Sequence, residues 1–119
     1  MKVLGITVPI FTTEFESAIA SYARLMGEPI QLKFEIPARG ISVAKIGSLL
    51  IIGGSEEALV SLRQIRATLR VDSLDDYNDY LRATGAAILQ PPTITPTGRN
   101  MIAKGNDGVV FEYVELVQS

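Results

Sequence analysis

The side chains of this chain that could do chemistry are carboxylates and arginines. Its 119 residues include no histidine and no cysteine, so neither an imidazole base nor a thiol nucleophile is available. From Gln64 onward polar and apolar residues alternate, which places Arg66, Thr68 and Arg70 on one face of a predicted strand. Glu112 lies in a later run that also reads as a strand. A mostly apolar surface with a few such polar groups suits an organic ligand.

A run of aspartates comprising Asp72, Asp75, Asp76 and Asp79 has a different interpretation. Its spacing lacks the glycine that a calcium-binding loop requires. Acidic residues at the start of a helix interact favourably with the helix dipole without any ion. We therefore interpret the run as the start of a helix rather than as a metal site.

Composition limits the classes of function. Apolar residues make up 47% of the chain, charged residues 20%, and the formal net charge is −2, which is typical of a globular protein. Acidic and basic residues are interspersed, so we expect no nucleic-acid partner. The apolar opening segment is too short to span a membrane, and the absence of cysteine is compatible with a reducing compartment. We expect a cytoplasmic protein.

The elements that must position these side chains follow an internal repeat. Four residues recur 58 positions later: Tyr22, Arg24, Gly27 and Ile30 match Tyr80, Arg82, Gly85 and Ile88. Each set lies at the end of a predicted helix that follows a predicted strand, and the helical positions of Tyr22 and Tyr80 predict core packing. A repeated unit of this kind usually packs against its copy.

Each half reads as strand, helix and three strands, so the predicted fold class is α+β. In the first half we predict strands at 2–10, 30–37, 40–47 and 49–52, with a helix that starts in a capping box at Thr13–Glu16 and ends at Gly27. A helical turn at 55–62 would begin at Ser55. In the second half Ser73 caps a helix that buries Leu74, Tyr77 and Leu81 and ends at Gly85. Pro91, Pro92 and Pro96 predict a loop before strands near 99–104 and 109–117.

These elements and three strings together resemble the vicinal oxygen chelate superfamily, which includes glyoxalase I, bleomycin resistance proteins, fosfomycin resistance enzymes and extradiol dioxygenases. The strings are ITVPI before a helix ending AIASYARLMG, then VDSLDDYNDYLRATGAAILQPP, then GNDGVVFEYVE. The resemblance covers the chain and implies one domain in which two βαβββ modules form a cup-shaped mixed sheet with helices outside. We expect module 1 at about 1–54, a connector at 55–63 and module 2 at about 64–119. The resemblance also implies a homodimer.

Enzymes of this superfamily hold a divalent metal between the modules, and this chain departs from their ligand pattern. The four ligand stations of the family fall on Gly5, Ile51, Arg66 and Glu112. Glycine and isoleucine have no side-chain atom that binds a metal, and an arginine cannot bind one because it is never deprotonated in a protein. Glu112 is therefore the one station with a possible metal ligand. We therefore predict no metal and no cofactor. The mapping instead predicts that Arg66 and Glu112 form an ion pair, with the guanidinium in the place of the metal.

The resulting hypothesis is a protein that binds a small organic molecule without metal chemistry, with an anionic ligand attracted by Arg66 or Arg70. The residues that strand parity and the resemblance assign to the ligand site are Thr7, Ile51, Arg66, Thr68, Arg70, Val110, Glu112 and Val114. The alternative is a glyoxalase-like lyase or isomerase, or a related enzyme, that is metal-free or holds a metal through unusual ligands centred on Glu112. Glu112 would then be the base and Arg66 its electrophilic partner. A third reading is a structural or regulatory module whose cup is filled by its own side chains.

Overall fold

In the computed structural model, which describes residues 1–117, the order strand, helix, strand, strand, strand occurs twice. The first copy comprises β1 (Val3–Thr12), α1 (Phe15–Met26), β2 (Leu32–Ile36), β3 (Ile41–Ile46) and β4 (Leu49–Gly54). A short helix, α2 (Glu56–Leu59), connects it to the second copy, which comprises β5 (Ile65–Val71), α3 (Leu74–Ala83), β6 (Ala87–Thr95), β7 (Gly98–Lys104) and β8 (Val110–Leu116). The α+β class and the order of elements in each half are confirmed.

The chain divides into two compact units. One comprises residues 7–64, and the other comprises residues 1–6 together with the residues from 65 onward. The beginning of β1 belongs to the second unit, where the backbone N–H of Asp72 donates to the carbonyl of Lys2 at 3.1 Å. The predicted boundary assigned these first residues to module 1. Organisation as one domain stays a prediction.

The sheet of residues 7–64 has the strand order β2-β3-β4-β1. It is mixed, because β1 pairs in parallel with β4 whereas β2, β3 and β4 are antiparallel neighbours. Helix α1 packs on one face through the buried Ile19, which contacts Ala44, Ile46 and Ile51. Gly53 permits this close approach, since a Cβ atom there would lie 2.6 Å from the Cβ of Phe15.

The opposite face of this sheet is covered by α2. Leu59, with no exposed surface, packs with Ile41, Val43 and Ile52. Ser55 caps α2 as predicted, since its hydroxyl accepts a hydrogen bond from the Ala58 N–H at 3.1 Å. Both faces of the first unit's sheet therefore carry apolar side chains packed against a helix.

In the second unit the strand order is β5-β8-β7-β6, with β5 and β8 parallel and β8, β7 and β6 antiparallel. Helix α3 packs on one face, where the predicted stripe Leu74, Tyr77 and Leu81 is buried with Met101 and Tyr113. Burial raises the pKa of both the Tyr77 and the Tyr113 phenols, because a charged phenolate would be desolvated in this core.

The two predicted helix starts have different outcomes. The Ser73 hydroxyl accepts from the Asp76 N–H at 3.2 Å, so the cap of α3 is confirmed. The capping box at Thr13 was wrong: α1 begins after Glu14, and no side chain caps it. Strand β1 extends to Thr12, whose hydroxyl accepts from the Glu14 N–H at 2.9 Å instead.

Two further sequence predictions were wrong. Pro91 and Pro92 lie within strand β6 rather than in a loop. This strand is at the edge of its sheet, where the missing N–H groups of proline are tolerated, and its register shifts between Gln90 and Thr93. Tyr80 does not pack in the core, because 51% of its surface is exposed; Tyr77, three positions earlier on the helix, faces the sheet instead. Tyr22 contacts the α1 core as predicted.

Among residues 1–117, no helix has the length and apolar composition that crossing a membrane would require.

Candidate functional site

Polar side chains from four adjacent strands meet on the face of the second unit's sheet that α3 does not cover. Thr68 on β5 pairs with Glu112 on β8. Asn100 on β7 lies on the same face, because it alternates with Met101 and Ala103, which pack against α3. A register shift between Ile88 and Gln90 on β6 places Gln90 opposite Ile102, where its side chain reaches Asn100. We refer to Gln90, Asn100, Thr68 and Glu112 as the Glu112 cluster.

Hydrogen bonds in the Glu112 cluster all run toward the carboxylate. The Thr68 hydroxyl donates to Oε1 of Glu112 at 2.9 Å, and Nδ2 of Asn100 donates to Oε2 at 2.8 Å. Nε2 of Gln90 in turn donates to Oδ1 of Asn100 at 2.9 Å. Because an ionised carboxylate only accepts, its presence fixes the orientation of both amides. Thr68 and Asn100 are 6% and 3% exposed, so these bonds are held within the sheet.

Sequence reasoning found two members of this cluster and missed two. It selected Thr68 and Glu112 for the ligand site but assigned no role there to Asn100 or Gln90. The available signal was the alternation in β7, where Asn100 shares a face with the buried Ile102. A polar side chain at such a position is expected to have a buried partner.

The predicted ion pair between Arg66 and Glu112 was wrong. Among the residues that the structure describes, no ion pair joins these two side chains, and Arg66 is exposed. The register of β5 against β8 shifts between Ile65 and Ala67, so that Arg66 is an extra residue in a bulge. The strict alternation of faces breaks there. Ile65, opposite Val110, therefore lies outside the α3 core that Leu69 and Val71 join.

Arg70, rather than Arg66, lies against the first family station. A Cβ atom at Gly5 would lie 3.8 Å from both Nε and Nη2 of Arg70. Nη2 also donates a long hydrogen bond, 3.4 Å, to the carbonyl of Leu4. The guanidinium thus extends over the backbone of β1 at Gly5, the first of the four ligand stations that the resemblance implies.

The other predicted ligand residues are distributed as follows. Val110 and Val114 flank Glu112 on β8 at alternate positions and share its face. The assignment of Ile51 to this kind of face was wrong, because Ile51 has no exposed surface and packs against α1 with Ile19. Thr7 belongs to the first unit. That Thr7 shares a site with the second-unit residues, and that any of these residues binds a ligand, stays a prediction.

The residues at the family's metal stations do not fit a divalent metal. No group of three or more histidine, cysteine, aspartate or glutamate side chains within residues 1–117 could hold an ion. Both oxygens of Glu112 accept from neutral donors, and Gly5 faces a guanidinium. A catalytic metal of this type needs about three protein ligands of nitrogen or oxygen.

Arg99 and Glu115 interact with the start of α3. Arg99 donates to Asp75 at 3.1 Å and lies 3.6 Å from Glu115, and the hydrogen bond to Asp75 is the main reason that the pKa of Arg99 is raised. The other Glu115 oxygen accepts from the Leu74 N–H at 2.7 Å. This arrangement supports the interpretation that the aspartates form a helix start.

Comparison with known proteins identifies a family to which this chain belongs. An uncharacterised protein from Methanosarcina mazei has a crystal structure that superposes with a TM-score of 0.91 at 41% sequence identity, over 100% of this chain and 97% of that chain. This chain belongs to the same protein family. No protein-family model matches the chain, and no curated protein matches it significantly.

More distant structures show the fold. Methylmalonyl-CoA epimerase from Mycobacterium tuberculosis superposes with a TM-score of 0.81 at 19% identity, over 98% of this chain and 90% of that chain. A variant of Streptomyces coelicolor methylmalonyl-CoA epimerase in complex with 2-nitronate-propionyl-CoA gives 0.81 at 16% identity, over 98% and 100%. These epimerases are members of the vicinal oxygen chelate superfamily. The family that includes this chain and the Methanosarcina mazei protein therefore has the vicinal oxygen chelate fold.

Proposed function

We propose that the protein binds a small organic molecule on the sheet face that carries the Glu112 cluster, without a catalytic metal. The observation that carries this proposal is a half-buried carboxylate whose two oxygens are each held by a buried neutral donor, Thr68 and Asn100. Such pre-positioned polar groups on a partly apolar surface fix the orientation of a ligand. The carboxylate can accept further hydrogen bonds, because each oxygen has two lone-pair sites.

The first unit offers less room for a ligand on its own sheet. Helix α2 covers the face opposite α1, and Leu59 fills it together with Ile52 and Val43. This observation favours the third hypothesis, a cup that the protein fills with its own side chains, for the first unit only. The proposed ligand contacts are therefore those of the second unit.

A ligand screen with a matched pair of variants tests the proposal. Wild-type protein is screened by thermal shift against short carboxylic acids, their amides and acyl-CoA thioesters, because a ligand that prefers the folded state raises the melting temperature. Glu112→Gln keeps the outline of the side chain: its carbonyl can accept from Asn100 and its amide can donate to Thr68. It replaces one acceptor oxygen with an amide that only donates, so we expect weaker binding of ligands that donate a hydrogen bond to Glu112. Glu35→Gln, on the exposed face of β2, should leave binding unchanged.

The same samples test the absence of a metal. Protein equilibrated with Mn²⁺, Co²⁺ or Zn²⁺ and then dialysed should retain far less than one ion per chain. One tightly held ion per chain, lost in Glu112→Gln, would contradict the metal-free proposal.

A second candidate is an isomerase in which Glu112 is the base, and the structural likeness to the epimerases favours it. The Glu112 carboxylate would take a proton from the carbon next to a thioester carbonyl. The C–H bond breaks, an O–H bond forms on Glu112, and the electron pair moves to the carbonyl oxygen. The electron pair then returns from the carbonyl oxygen to that carbon, which takes a proton from a water molecule on the opposite face. The hydroxide that remains accepts the proton from Glu112 through solvent, so the product is the epimer with no net oxidation.

Deuterium exchange distinguishes binding from catalysis. Methylmalonyl-CoA and propionyl-CoA are incubated with the protein in D₂O, and deuterium at the carbon next to the thioester is measured by mass spectrometry. Exchange in wild type that Glu112→Gln abolishes supports the isomerase. Binding of a thioester without exchange supports the binding protein.

A further inference from the structure

We propose that Arg70 supplies the positive charge beside the Glu112 cluster, in place of the metal of related enzymes, and that the ligand therefore presents an oxyanion, such as a carboxylate, to Arg70. This inference rests on the proposed function. It chooses Arg70 over Arg66 and specifies the class of ligand.

Within residues 1–117, Arg70 is a cation without a carboxylate partner. Among the described residues the ion pairs of arginine join Arg63 to Glu56 and Arg99 to Asp75 and Glu115, whereas Arg70 takes part in none. Its one hydrogen bond to the part of the chain that the structure describes is the 3.4 Å contact from Nη2 to the Leu4 carbonyl. A guanidinium has five N–H donors in a planar fork, so most of its donors remain available to a ligand.

The neighbouring carboxylate does not neutralise this cation. Thr68 pairs with Glu112 and Arg70 pairs with Val114, so Arg70 and Glu112 are diagonal neighbours on adjacent strands of one face. A strand spacing of about 4.8 Å and a rise of about 3.3 Å per residue place the Cα atoms of such neighbours roughly 8 Å apart. Thr68 and Asn100 engage the two Glu112 oxygens instead. A ligand can therefore place an oxyanion on Arg70 and a hydrogen-bond donor or an acidic C–H group toward Glu112.

The glycine at position 5 leaves the space that the guanidinium uses. A Cβ at Gly5 would make an ordinary contact with Arg70 at 3.8 Å, but a branched side chain would crowd the same atoms. A fixed guanidinium is charged at every working pH. The guanidinium provides the electrostatic attraction that a metal supplies in related enzymes. It does not require the metal-binding side chains that this chain lacks.

The test compares acids with their amides on two matched arginine variants. Malonate and lactate are titrated calorimetrically against malonamide and lactamide, with wild type, Arg70→Ala, Arg70→Lys and Arg66→Ala. Both arginines are exposed on β5, four positions apart, so Arg66→Ala is the control for a lost surface charge. Gly5→Val provides a variant that keeps Arg70 but crowds its guanidinium.

We expect wild type to prefer the acids, and Arg70→Ala to raise their dissociation constants about tenfold or more. Arg70→Lys should recover part of the affinity because it keeps the charge but loses the bidentate fork. Gly5→Val should resemble Arg70→Ala, whereas Arg66→Ala should change affinity by less than about threefold.

Three results would overturn the inference. The first is equal loss of affinity in Arg66→Ala and Arg70→Ala, which would show only a general attraction to positive charge. The second is equal affinity for acids and amides with loss in Glu112→Gln, which would keep the proposed function but remove the oxyanion. The third is no binding of any acid, amide or acyl-CoA thioester by wild type, which would overturn the proposed function and this inference together.

Discussion

Asn100 is the residue on which the Glu112 cluster depends. It donates to Glu112 and accepts from Gln90, and only 3% of its surface is exposed. Removing it would leave two polar groups without partners rather than one. A buried group that loses its hydrogen bond costs more than the bond itself contributed, because its desolvation is no longer compensated.

Replacing Asn100 with leucine tests this role. Asn100→Leu has a similar size but no polar atom, so we expect the free energy of unfolding to fall by about 2 kcal/mol. Urea denaturation measures it. The control is Met101→Leu, one position along β7 on the α3 face, which should cost less than about 1.5 kcal/mol because it conserves volume. Equal effects of the two substitutions would argue against a hydrogen-bonded cluster.

Arg66 and Arg70 show how residue type alone is insufficient. Both are arginines at alternating positions of β5, so the sequence alone does not distinguish which of them lies at the ligand site. Only the bulge at Arg66 separates them, since it removes Arg66 from the regular register. Arg70 keeps its position opposite Val114.

At the scale of elements, the contact between α1 and β4 depends on Gly53. A Cβ atom there would lie 2.6 Å from the Phe15 Cβ, so the helix would have to move away from the sheet. We expect Gly53→Ala to lower the free energy of unfolding by about 1–3 kcal/mol, as overpacking of a core does. Thermal and urea denaturation measure this change. Gly5→Ala, whose Cβ meets nothing closer than 3.8 Å, is the control and should be nearly neutral.

Asp72 connects the start of β1 to the end of β5. Its carboxylate accepts from the Lys2 N–H at 2.8 Å, and this hydrogen bond is the main reason that the pKa of Asp72 lies below its usual value of 3.8. A carboxyl whose pKa is lowered by folding stabilises the fold above its unfolded pKa. That contribution disappears as the pH falls through the lowered value in the folded state.

Acid unfolding measures the contribution of Asp72. We expect wild type to lose more stability than Asp72→Asn between about pH 5 and pH 2, because only wild type loses this interaction on protonation. Asp79→Asn, an exposed aspartate on α3, should follow the wild-type curve. Parallel curves for wild type and Asp72→Asn would show that the Lys2 contact does not contribute.

For the whole molecule, the resemblance predicts a homodimer. The chain has a mass of 12.9 kDa, and we expect sedimentation equilibrium to give twice this mass at micromolar concentrations. Dilution should shift the population toward the monomer, because association follows mass action. A single species of 12.9 kDa at every concentration would show that the protein is a monomer.

The amino-acid sequence by itself determined the elements and the missing chemistry. Hydrophobic periodicity predicted α3 with its buried Leu74, Tyr77 and Leu81, and the repeat predicted two β-α-β-β-β halves. The absence of histidine and cysteine removed whole classes of site. These features are local or compositional, so they can be read without coordinates.

Only the tertiary structure decided which side chains meet. Asn100 and Gln90 reach Glu112 because strands far apart in sequence pair in one register. Because Arg66 is an extra residue, the residues on its two sides no longer follow one alternation between the faces of the sheet. On β4, the side chain of Ile51 packs against α1. Side chains on a strand alternate with a period of two, so a single-residue shift reverses the face of every residue beyond it. That shift is set by packing between strands rather than by the local sequence.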